Sequence, residues 1–92
     1  MTHPALSNFK QQALSEGYQE VVERNWEPNT VAPTHTHPFA ARGLVTQGEM
    51  WLSCDGHTQH LLPGDIFSLE PNTPHEEIYG PEGATYWAAR RS

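Results

Sequence analysis

The sequence predicts an all-β domain, a sandwich or barrel of short strands, with one short helix in front of it. Three observations carry that expectation. From Tyr18 onward, apolar-rich runs of strand length alternate with turn residues, and eight prolines and seven glycines punctuate the 92 residues. Asp55-Gly56, between "EMWLSC" and "HTQHLL", is the strongest type of two-residue hairpin signal. Helical spacing occurs once, in "SNFKQQALSEGY" at 7–18.

Taken in order, residues 1–6 read as a loose tail. In the helix, Ser7 is the expected N-cap, Phe9, Ala13 and Leu14 share a face, and Gly17 closes the C-terminus. Tail and helix, 1–17, are expected to lie against the outside of a barrel domain at 18–92. "YQEVVERNW" reads as a strand ended by "EPN", and "THTHPFAARGLVTQ" as one or two strands, broken or bent at Pro38. "EMWLSC" and "HTQHLL" form the hairpin, "PGD" at 63–65 a tight turn, and "IFSL" the next strand. "EPNTP" is a loop, "HEEIY" a strand, "GPEG" a turn, and "ATYWAARR" the last strand. Neither an internal repeat nor a low-complexity tract interrupts the pattern.

Ninety-two residues hold one core and no second domain. So small a domain gains from a closed sheet or a partner subunit. A net charge of −6, from eleven acids against five lysines and arginines, opposes a phosphate backbone or an anionic membrane. Neither nucleic acid nor membrane is therefore an expected partner. Cys54 is the only cysteine, so no intrachain disulfide forms. "MTHPALSNFK" is not a secretory signal, and no run approaches the roughly 20 apolar residues of a membrane span. A cytoplasmic location is the expectation that follows.

His35 and His37 stand in "PTHTHPFAARG". Residues two apart on a strand share a face, their alpha carbons about 6.6 Å apart. Each ring then offers one nitrogen to a common cation, at roughly 2.0–2.1 Å if the ion is zinc. Some 40 residues on, in "LLPGDIFSLEPNTPHEEIY", His75 opens a strand behind a proline-containing loop.

Here the chain resembles the cupin superfamily, in its small single-domain, RmlC-like form (cupin 2 type). The likeness rests on His35, His37 and Gly48 in a first motif, and on Pro63, Gly64, Asp65, Pro71, Pro74 and His75 in a second. It spans roughly residues 18–90. It implies a jelly-roll β-barrel closed around a cavity, with His35, His37 and His75 as ligands of a divalent metal ion. Imidazoles suit iron, nickel, zinc and copper alike, and the resemblance leaves manganese open as well, so the ion is not specified.

The family's first motif carries a glutamate that this chain lacks. Counting from the motif's ends places it at Ala41 or Arg42, neither of which can bind a metal. If the strand runs on past Pro38, Phe39, Ala41, Gly43 and Val45 face inward and Arg42 outward. Ala41 and Gly43 then line an open fourth position that would attract an anionic or enolate-like oxygen. Gln59 is a candidate extra ligand, or else a hydrogen-bonded core amide. Glu77 is the nearby acid that could replace the lost carboxylate, as ligand or base. Tyr79, on the same face, is either cavity lining or a proton donor. His57 and His60 flank the hairpin and are not counted as ligands.

Met50, Leu52, Phe67, Leu69, Tyr86 and Trp87 read as packing, and Cys54 as a small buried hydrophobe. Trp51 is expected to face outward over a homodimer contact. Arg24, Arg42, Arg90 and Arg91 cluster only if the strands bring them together. Two functions fit. One is a metal-dependent oxygenase or isomerase of a small organic acid or carbonyl compound, with Glu77 or Tyr79 moving protons. The other is a non-catalytic sensor or carrier module that binds a small ligand or metal. A chain this short has no room for a DNA-binding domain of its own.

Overall fold

The computed structural model describes residues 3–92. Helix α1 (Leu6–Ser15) is followed by six antiparallel strands: β1 (Glu20–Trp26), β2 (Val31–His35), β3 (Ala40–Cys54), β4 (His57–Leu61), β5 (Ile66–Leu69) and β6 (His75–Arg91). Strands β3 and β6 are long and pair with each other along their lengths. Each serves two neighbours. The β1 strand pairs with β6 at 84–90 and β5 with β3 at 41–44. The β2 strand pairs with the start of β6, and β4 with β3 at 50–54. The result is two four-stranded halves, β1-β6-β3-β5 and β2-β6-β3-β4, folded onto one another as a jelly-roll.

"GPEG" is not a turn, contrary to the sequence expectation, and "EMWLSC" continues the strand before it. Residues 80–83 are an excursion within β6, which passes there from β2 to β1 as its outer neighbour. Local turn chemistry yields to pairing on both sides of the strand. The bend brings three backbones together. A Cβ on Gly48 would land on the Gly83 carbonyl oxygen, and one on Gly83 on the Trp26 carbonyl. Both glycines also have φ of +73°, a region that side chains disfavour.

Between the halves lies the main core, with Val45, Phe67, Leu69, Ala84 and Tyr86 from one and Met50, Leu52, Leu61 and Tyr79 from the other. A second cluster forms where Leu6, Phe9 and Ala13 of α1 press Leu44 and Ala89 from outside. Two helix expectations change. Ala5, not Ser7, is the N-cap, and Leu6 takes the buried place assigned to Leu14, which is 56% exposed. Positions 6, 9 and 13 recur at helical spacing, and Leu14 is turned past them. Gly17 does close the helix, at φ +89°, with the Tyr18 amide donating to the Ala13 carbonyl.

The turns follow their chemistry. Asp55 and Gly56 both have positive φ and join Cys54 to His57. Asp65 folds back to accept the Leu62 amide at 2.8 Å. No helix among the described residues is long and apolar enough to cross a membrane.

Candidate metal centre

His35 ends β2 and pairs in register with His75, the first residue of β6. His37 lies in the irregular stretch that follows, so the strand does not run on past Pro38 as parity assumed. What holds His37 is the other loop, whose Asn72 amide donates to the His37 carbonyl at 2.6 Å. The three rings meet, with centroids 4.3 to 5.1 Å apart. One ring nitrogen from each lies within 4.8 Å of the others.

Two of the rings have their tautomer set. The His35 Nδ1–H donates to the Pro33 carbonyl at 2.7 Å, and the His75 Nδ1–H to the Thr73 carbonyl at 2.9 Å. A carbonyl only accepts, so each Nε2 keeps its lone pair. His75 is 2% exposed, and its buried Nε2 has no hydrogen-bond partner among the described residues. Such an orphan costs free energy unless something binds it. A divalent ion shared with His35 and His37 is the partner this donor set fits. Burial, then the neighbouring His35 and His75, push the His37 pKa down, favouring the neutral ring that binds metal.

Glu77 stands beside the triad. Its buried carboxylate places Oε2 3.5 Å from His35 Nε2 and 3.4 Å from His75 Nε2. The other oxygen accepts from the hydroxyls of Tyr79 and, at 3.3 Å, Tyr86. Tyr79 is 1% exposed and its ring stacks on Trp26, so it stands beneath Glu77 and not in the cavity. Burial, then the adjacent phenol and carboxylate, raise the Tyr79 pKa strongly. Tyr86, which the sequence reads as packing alone, lines the cavity and shares Glu77.

That cavity, about 270 Å³, opens above the histidines between the inner faces of β1, β3, β5 and β6. Ala41 and Phe39 line it as parity expects. Gly43 is buried, opposite Phe67 in the ladder, and a Cβ there would collide with the Phe67 ring. Arg42 points to the other face, where Glu16 pairs with it at 2.8 Å. Gln59 is neither a core amide nor beside the triad. It is exposed on β4, an edge strand among the described residues. Cys54 is half-buried, and burial, then Asp55, raise its thiol pKa. His60 is held by Glu49 at 2.8 Å and stacks on Trp51, away from the triad.

Comparison with known proteins agrees with this architecture. An uncharacterized HTH-type transcriptional regulator of Haemophilus influenzae is 39% identical over 49 residues, half of this chain but 16% of the regulator's length. An RmlC-like cupin from Shewanella frigidimarina superposes with a TM-score of 0.66 at 21% identity, covering 79% of this chain and 68% of that one. The DMSP lyase DddQ from Ruegeria pomeroyi gives 0.68 at 23% identity, covering 78% of this chain and 36% of the lyase. At these identities the two structures speak for the fold alone. The profile of the AraC-like ligand-binding domain matches residues 17–89. With that match over most of its length and a jelly-roll to accompany it, the chain belongs to the AraC-like ligand-binding domain family and is a small cupin.

Proposed function

We propose that the domain binds a small molecule in the cavity above a divalent metal ion held by His35, His37 and His75. The observation that carries this reading is the buried, unpartnered Nε2 of His75, beside the two other rings. When bound, the ion supplies a Lewis-acidic position for a ligand oxygen. The chain supplies the rest. The Pro33 and Thr73 carbonyls fix the rings, Tyr79 and Tyr86 orient Glu77, and Phe39, Phe67 and Leu69 give an apolar wall. The match to a ligand-binding domain family supports recognition as the primary role.

Turnover is the second reading, and Glu77 favours it. Its carboxylate lines the cavity beside the histidines, where it would take a proton from a bound hydroxy or carbonyl acid in an oxygenation or isomerisation. Tyr79 would then act as a positioning residue through Glu77.

Protein purified without a histidine tag should carry about one first-row divalent ion per chain, and His75→Ala should carry none. A metal-free wild type that takes up no ion on loading would end the reading. Metal retained without product from a panel of hydroxy and carbonyl acids would select recognition over turnover.

Self-association is proposed on separate grounds. Val31, Ile78, Trp51 and His60 lie in one ladder row across the outer face of β2-β6-β3-β4, with Val31 53% and Ile78 37% exposed. A homodimer would cover this row, and Ile78→Glu should leave a monomer in sedimentation. The unpaired Cys54 suits a reducing compartment such as the cytoplasm.

A further inference from the structure

The cavity has one cationic group without an ionic partner among the described residues. Three arginines border it, Arg24, Arg42 and Arg90, but only Arg24 and Arg90 lie on the inner face, because Arg42 turns its guanidinium outward. Arg42 is paired with Glu16. Arg90 is paired with Glu20, its in-register neighbour on β1, and lies over the Phe39 ring. Arg24 has neither a carboxylate nor a carbonyl partner among the described residues. Its guanidinium instead rests 5.3 Å from the centre of the Trp26 ring, two residues along the same inner face of β1. Arg24 is exposed, and that contact keeps the head at the cavity wall while leaving its in-plane N–H donors open to solvent and to a ligand.

The remaining wall defines what those donors meet. Val22, Phe39, Phe67, Leu69 and Ala88 are apolar. Of the two acids in the lining, Glu20 belongs to Arg90, and Glu77 to the tyrosines and the histidine end. An anion entering here pairs with Arg24 without displacing a native partner. A chain of net charge −6 repels anions elsewhere on its surface, so an unpaired cation lining a concave site is a local exception. Size narrows the class further. A cavity of about 150 Å³ suffices for benzene, and this one, at about 270 Å³, leaves room for a charged group beside such a body.

We propose that the cavity selects small monocarboxylates with an aromatic or branched apolar body, the carboxylate held in a two-point contact by Arg24. The apolar body lies against Phe39, Phe67 and Leu69. This inference rests on the reading of the cavity as a ligand site, but not on the identity of the metal.

The test titrates benzoate, 3-methylbutanoate and the neutral isostere benzamide into the full metal-loaded chain, followed by NMR. Benzoate should bind about tenfold or more tightly than benzamide, as a charge-assisted fork requires. Arg24→Gln should remove that preference, and Arg24→Lys, which keeps the charge but not the fork, should retain only part of it. Arg42→Gln should leave it intact. Equal binding of benzoate and benzamide, an unchanged Arg24→Gln, or no binding of either carboxylate would each overturn the proposal. Elemental analysis of the same samples separates the two readings. Metal present with an Arg24-independent affinity sinks this inference alone. Metal absent with the Arg24 preference intact sinks the metal centre alone.

Discussion

Asn72 and His37, from loops 35 residues apart in the chain, are joined backbone to backbone, the Asn72 amide donating to the His37 carbonyl at 2.6 Å. The bond couples the two motif loops, since Asn72 precedes His75 by one short turn and His37 follows His35 by two residues. Asn72 reaches it at φ +62°, a conformation asparagine tolerates and proline cannot adopt. Asn72→Pro should therefore weaken metal binding by about tenfold or more, the scale seen when a ligand's support is lost. Asn72→Gly keeps both the amide and the φ and should leave affinity unchanged. Competition against a chromophoric chelator measures both.

The orphan nitrogen of His75 makes a prediction about stability as well as affinity. An ion that binds only the folded chain stabilises it by about 2.7 kcal/mol at one hundred times its dissociation constant. Melting of the wild type should rise with added divalent metal and fall with chelator. In His75→Phe, where a buried imidazole becomes a ring without polar atoms, the melting temperature should be indifferent to both.

Alkaline titration tests the Glu77 cluster. Burial first, then the neighbouring phenol and carboxylate for Tyr79 and the carboxylate for Tyr86, holds both pKa values above the ordinary phenol value of 10. The folded chain thus keeps protons that the unfolded chain releases, so stability is intact below pH 10 and declines as pH rises beyond it. Phenolate absorbance from these two residues should appear together with loss of near-ultraviolet circular dichroism. Ionisation of all tyrosines in a still-folded protein would contradict the buried arrangement.

Gly48→Ala should be among the most damaging small substitutions. The new methyl meets the Gly83 carbonyl, and the φ of +73° strains it further. A loss of about 2 kcal/mol or more is expected in urea unfolding. Gly56→Ala, at φ +77° but with nothing within 4 Å, should lose less, because only the backbone is strained.

Much of the architecture was legible from punctuation. Asp55-Gly56, the break near Pro38 and the helix-closing Gly17 all report local φ requirements, which sequence states directly. The three histidines were legible because one pair lies two apart and the third follows a loop of fixed character. Parity was the tool that failed at distance. On β6 the inward set is 75, 77 and 79 before the excursion at 80–83, and 84, 86, 88 and 90 after it. On β3 it passes from 41, 43 and 45 to 50 and 52 across two register shifts. Residues out of phase by alternation, such as Glu77 and Tyr86, therefore share one hydrogen-bonded cluster. Gln59 departs for a different reason, since alternation assigns a side but not a cover, and at this edge strand nothing among the described residues buries the side chain.

Trp26 touches both ends of this arrangement, stacked on Tyr79 at 4.6 Å and lying beneath the Arg24 guanidinium. The other two indoles lie apart from it, Trp51 against His60 and Trp87 beside Lys10. The fold thus carries its own optical gauge. Emission from a Trp51→Phe, Trp87→Phe background would come from a single indole that senses a paramagnetic ion on one side and a neutralised guanidinium on the other.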